Sequence, residues 1–131
     1  MRIAVAGDHA GWSLKEEIKG ILAGHEISDF GTTDDAACDL PDFVYPAALA
    51  VGGGQVDRGI FVDGVGYGSA MIANKVPGVY AAVCQDPFCA TLALETVNAW
   101  LSTHFVADVP KNAARVDKVR QIADKHVRPG V

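Results

Sequence analysis

The chain has 131 residues, half of them hydrophobic and 21% charged, with a formal net charge of −5 at pH 7. That is one domain's length, apolar enough for a continuous core, which argues against disorder and against an internal domain boundary, so residues 1–131 are expected to form a single α/β domain. The acidic balance argues against general nucleic-acid binding, which needs a basic face, and no apolar run approaches the roughly 20 residues of a membrane-spanning helix, so neither nucleic acid nor membrane is an expected partner.

Arg2 to Gly7 is a short apolar run ending in glycine, the pattern of a buried parallel strand feeding a loop. Asp8-His9-Ala10-Gly11 follows, and an Asp-His pair at the C-terminal end of a strand lies where open α/β sheets bind ligands. Asp8 as a helix cap and His9 as a surface residue is the bland reading. Ser13 and Glu16 have capping-box spacing, and Leu14, Ile18, Ile21 and Leu22 share a helical face, predicting a first helix to about Gly24. His25 to Phe30 reads as a second strand, Thr32 to Pro41 as a polar loop, and Asp42 to Val51 as a helix with Pro46 near its first turn, closed by Gly52-Gly53-Gly54.

The run from Ile60 to Lys75 passes from strand to glycine-rich turn to helix. Ile60, Phe61 and Val62 suit a strand covered on both faces, and Asp63 interrupts the apolar run. Gly64, Gly66 and Gly68 alternate with Val65 and Tyr67, so the backbone can take positive φ and bring bare N–H groups up to a ligand. From Ser69 onward a helix is expected, whose first amides favour an anion. Glycines needed only for packing are the competing reading.

After Pro77-Gly78, Val79 to Cys84 is expected as a fourth strand. Asp86 and Pro87 then open a helix with Leu92, Ala93, Val97, Trp100 and Leu101 inward, running to about Phe105. The last helix, about 111–126, turns Val116, Val119, Ile122 and Ala123 inward and carries Lys111, Arg115 and Lys118 on its polar face. Cys38, Cys84 and Cys89 are odd in number and lack metal-ligand spacing, and the chain opens on a strand, which together predict a cytoplasmic protein without a metal. Alternating strands and helices imply a parallel sheet of four, at most five, strands in a three-layer sandwich, with polar residues gathered at the strand ends.

The blocks GDHAGWSLKEEI, DFGT, DLPDF, the Gly-x-Gly-x-Gly turn ending IANK, and VYAAVCQDPF resemble the ribose-5-phosphate isomerase B / galactose-6-phosphate isomerase family. The resemblance covers roughly residues 1–90 and part of the tail. It implies a flavodoxin- or Rossmann-like sheet and aldose–ketose isomerisation of a small sugar phosphate through an enediolate. It also implies no cofactor, a homodimer or tetramer, and active sites shared between subunits. Such a site needs a base, donors for the developing oxyanion and a phosphate clamp. Carried onto this chain, Asp63 and Ser69 fall at the two positions where family members place their base, a cysteine or a glutamate. Asp63 is the expected substitute, its pKa raised by desolvation. Asp8, His9 and the turn Gly64, Val65, Gly66, Tyr67 and Gly68 are expected to bind substrate and oxyanion, although Val65 replaces a family hydroxyl. Lys111 and Arg115, four residues apart, match the family's C-terminal cation pair and are expected to hold phosphate, with the last helix packed on a neighbouring subunit. The segment after Ala90 is shorter than the family pattern and lacks its ring-opening histidine; His104 reads first as a surface histidine and second as a partial stand-in. An open-chain four-carbon substrate fits that loss. The alternative is a catalytically silent sugar-phosphate binder or partner subunit of an active paralogue, and a nucleotide-binding module is disfavoured because both glycine stretches depart from the nucleotide-binding fingerprints.

Overall fold

The computed structural model describes residues 1–84, 97–102 and 110–126. Two compact units make up the chain, Met1–Asn98 and Ala99–Val131.

Within the first unit, β1 (Arg2–Gly7), β2 (Glu26–Asp29) and β3 (Arg58–Val62) form an all-parallel sheet in the order β2-β1-β3. The register is continuous: Arg2 pairs with Glu26 and Val5 with Asp29 on one side, while Ile3 pairs with Arg58 and Gly7 with Val62 on the other. As the central strand, β1 buries Ile3, Ala4, Val5 and Ala6 completely or nearly so. Each of its two large side chains is worth about 1.5–3 kcal/mol of apolar burial. The coverage on both faces expected of Ile60 to Val62 belongs to β1 instead; β3 is half-buried along its whole length, because among the described residues it is an edge strand.

Helix α1 (Trp12–Ile21) connects β1 to β2, and α2 (Pro41–Gly52) connects β2 to β3. The first connection steps one way along the sheet and the second steps back past β1. Right-handed crossovers therefore place the two helices on opposite faces, giving the expected sandwich of a parallel sheet with helices on both sides. Helix α3 (Tyr67–Ala73) follows β3 and packs on α2: Ala48 of α2, Ala73 of α3, Val76 and Val79 form one buried cluster. Val44, Ala47 and Ala50 of α2 close the main core over Ala4 and Ala6.

Several local expectations are corrected. Helix α1 begins at Trp12, capped by the backbone of Gly11 with no side-chain cap, so the Ser13–Glu16 capping box does not form. Asp8 already folds the preceding turn, accepting hydrogen bonds from the amides of Ala10 and Gly11 at 3.0 and 3.1 Å, which carries the chain into the helix before Ser13. Glu16 turns to Lys15 and Lys19 instead. Helix α2 starts at Pro41, so Pro46 lies inside it; the bond it forfeits is to the carbonyl of Asp42, still close to the helix start. Residues 79–84, expected as a strand, carry neither helix nor strand. The side chain of Asn74 holds them instead, donating to the carbonyl of Ala81 and accepting from its amide, both at 2.9 Å.

In the second unit, α4 (Pro110–His126) matches the expected last helix. Val119 and Ile122, expected to face inward, are exposed. Of the helix expected from Asp86 to Phe105, residues 97–102 are helical, with Val97 buried; the remainder, and His104, lie outside the described residues.

Candidate active site

The sheet order reverses direction beside β1, so the loops leaving β1 and β3 part to opposite faces and open a crevice between them. Pairing of Gly7 with Val62 ends the ladder there and brings Asp8 and Asp63 out on neighbouring strands. Glycine makes the convergence possible. A Cβ on Gly11 would lie 2.1 Å from the carbonyl oxygen of Val62, so the start of α1 sits directly on the end of β3, and a Cβ on Gly64 would meet that of Ala10 at 3.2 Å. From the third side, Leu40 packs where a side chain on Gly68 would be, and Thr32 donates its amide to the carbonyl of Gly7 at 3.1 Å.

Asp63 organises the glycine turn. Its Oδ1 accepts the amides of Val65, at 2.9 Å, and Gly66; its Oδ2 accepts the amide of Ser69 at 2.8 Å and the Ser69 hydroxyl at 2.5 Å. Gly66, at φ +78°, supplies the left-handed step that turns these amides inward and begins α3. The expectation of a raised Asp63 pKa is reversed. Burial is the largest single influence and pushes the carboxyl up, but the Ser69 hydroxyl and the amides of Ser69, Gly66 and Val65 together outweigh it and hold Asp63 below its ordinary value. Ser69 is buried, 4% exposed, with its hydroxyl turned to Asp63.

The same bonds narrow the expected oxyanion donors. The amides of Val65, Gly66 and Ser69 are committed to Asp63, which leaves those of Gly64, Tyr67 and Gly68 outside its reach. Val65 and Tyr67 project from the turn, 65% and 53% exposed, forming an apolar and aromatic rim.

Asp8 uses Oδ1 for the amides of Ala10 and Gly11, and among the described residues no hydrogen bond falls on its Oδ2. His9 is half-buried, and its Nδ1 accepts the amide of Cys38 at 3.3 Å, with the Cys38 Sγ 3.8 Å away. Sequence reasoning missed Cys38: it lies 29 residues from His9, and the number and spacing of the cysteines speak to disulfides and metals, not to a backbone contact. The roles of Gly7 and Gly11 were equally hidden, although the GDHAG block marked their place.

Of the expected phosphate clamp, Arg115 is exposed on α4, and the side chain of Lys111 lies outside the described residues. No helix among the described residues is long and apolar enough to cross a membrane.

Residues 3–100 match the family model of ribose/galactose isomerases. Ribose-5-phosphate isomerase B of Escherichia coli K12 is 43% identical over 94 residues, a match that takes in 70% of this chain and 63% of that enzyme's own length. Among solved structures, ribose-5-phosphate isomerase B of Clostridium thermocellum superposes with a TM-score of 0.86 at 36% identity, covering 97% of this chain and all of the other. That of Mycoplasma genitalium, solved with bound ribulose-5-phosphate, superposes with a TM-score of 0.80 at 28% identity, covering 96% of this chain and 97% of the other. The fold, the glycine turn and the extent of these matches agree: the chain belongs to the ribose/galactose isomerase family.

Proposed function

We propose that this protein is an aldose–ketose isomerase of a small sugar phosphate, working through an enediolate in the crevice between the loops that follow β1 and β3. The observation that carries the reading is the meeting of Asp8-His9 with a glycine turn cinched by Asp63, at the switch point of a sheet shared with enzymes of this activity. Isomerisation removes a proton from the carbon beside the carbonyl and returns it to the neighbouring carbon, so the site must hold a base and donors to the oxygens that gain charge.

Two carboxylates flank the crevice, and their surroundings divide the work. Asp63 accepts four hydrogen bonds, two on each oxygen, and would have to surrender one to take a proton from carbon. Asp8 has one oxygen fixed by backbone amides and the other without a hydrogen bond among the described residues. We assign proton transfer to Asp8 and the shaping of the turn to Asp63, with Ser69 as the donor that keeps Asp63 in place. The amides of Gly64, Tyr67 and Gly68 are the candidate donors to the enediolate oxygens.

Lys111 and Arg115 are assigned to the phosphate group of a substrate bound by a neighbouring subunit. The i, i+4 spacing on α4 supports this by placing both residues on one helical face, and the exposed Val119 and Ile122 give that helix an apolar stripe for self-association.

A panel of four- to six-carbon aldose and ketose phosphates tests the reading. Interconversion of at least one pair is expected, abolished in Asp8→Asn and reduced but measurable in Asp63→Asn. The opposite ranking would return the base to Asp63.

A further inference from the structure

We propose that the backbone amide of Cys38 is a positioning group that fixes the neutral ring of His9 as its Nε2–H tautomer, so that His9 meets the substrate as a hydrogen-bond donor and not as a proton acceptor. A neutral imidazole has one N–H and one lone pair, and the group facing a nitrogen decides which it carries. A backbone amide can only donate. Its approach to Nδ1 at 3.3 Å therefore requires the lone pair there and sends the proton to Nε2. The thiol of the same residue, 3.8 Å from Nδ1, can donate to or accept from that nitrogen and so fits either tautomer, which leaves the amide to decide.

The Cys38 amide is held in place by the fold. Its loop is tied at the start by Thr32, buried and bonded to the end of β1, and at the finish by Leu40, which packs against Gly68 and caps α2. The polar loop between β2 and α2 thus reaches across the sheet edge to set the chemistry of a residue on the loop after β1. The consequence is a division of labour: Asp8 takes protons, and its neighbour His9 offers one hydrogen bond to a substrate oxygen without exchanging protons with carbon.

What His9 touches rests on the isomerase reading; its tautomer is a property of the unliganded protein and is tested apart from it. The full chain labelled with 15N-histidine, observed by long-range 1H–15N correlation at mildly alkaline pH, reports the tautomer of each ring, and the signals missing from His9→Gln assign His9. A single Nε2–H form is expected, kept in Cys38→Ala, which retains the amide, and giving way to a mixture in Cys38→Pro, which removes it. A mixed or Nδ1–H population in the unaltered chain would overturn the proposal, as would its loss in Cys38→Ala.

A second pair of variants tests the donor role without depending on the proline. Glutamine extends an amide to about the position of Nε2, and asparagine only to that of Nδ1. KM for the sugar phosphate is expected to stay within several-fold in His9→Gln and to rise about tenfold or more in His9→Asn, the loss of one hydrogen bond to a charged or polarised oxygen. Equal losses in both would contradict a donor at Nε2. Absence of turnover in every form, with the single tautomer intact, would instead count against the isomerase reading.

Discussion

Asp63 shows how a residue's surroundings outweigh its position. A carboxylate at a strand end, behind an apolar run, reads from the sequence as a desolvated base. The sequence does not display the three amides and one hydroxyl that the following turn folds back onto it, and these reverse the direction of its pKa. Asp63→Asn would place donors before donors, at a cost of about 1–3 kcal/mol in stability, readable as a lowered denaturation midpoint. The pH dependence has a definite sign: a carboxyl held below its unfolded value contributes stability that is fully present above about pH 4 and is lost as pH falls through the folded value. Thermal unfolding followed downward from neutral pH should therefore be flat at first and then decline, and the decline should be shallower in Asp63→Asn. Gly66→Ala is expected to cost about 1–2 kcal/mol, because a side chain at φ +78° meets the following carbonyl. The glycines themselves were legible in the sequence. Which amides they release, and which Asp63 keeps, was not.

Element by element, alternation of strand and helix was readable because apolar periodicity reports burial directly, and β1, α1, α2 and β3 lie close to where it put them. Cap chemistry was less readable: Ser13 and Glu16 matched a capping box, but Asp8 had already closed the turn. Freed from that role, Glu16 joins Lys15, Lys19 and Asp29 in an ion cluster that pins α1 to β2, with Lys15 only 1% exposed and 2.7 Å from Asp29. The stem of Lys15 runs against Gly31, where a Cβ would stand 2.7 Å from its Cδ. Asp29→Ala should be the more damaging break, about 3 kcal/mol in chemical denaturation, since it strips the buried ammonium of one partner, whereas Lys15→Met keeps the packing and should cost less. At the opposite end of β1, the Arg2 guanidinium and backbone amide hold the Asp57 carboxyl down to about 2. The apolar run at 79–84 reads as a strand in the sequence, whereas the structure gives it neither strand nor helix and clamps it at Ala81 through the side chain of Asn74.

For the molecule as a whole, the family and the crevice were legible because they depend on residue order: DHAG after the first strand, the triple-glycine turn after the third, and IANK behind it. The Cys38–His9 contact was not, since it joins loops that only the folded sheet edge brings together. Shared active sites make a prediction that no single variant tests. If Arg115 of one subunit completes the crevice of another, Asp8→Asn and Arg115→Ala should each be inactive alone yet regain part of the activity when mixed, unfolded and refolded together; no recovery would confine the site to one chain. The most direct test of the central claim is NMR of the protein with four- to six-carbon aldose and ketose phosphates in deuterated water. Interconversion of at least one pair is expected, with solvent deuterium entering at the carbon beside the carbonyl, and both are expected to be lost in Asp8→Asn. Binding of these sugar phosphates with no interconversion of any of them would contradict the claim.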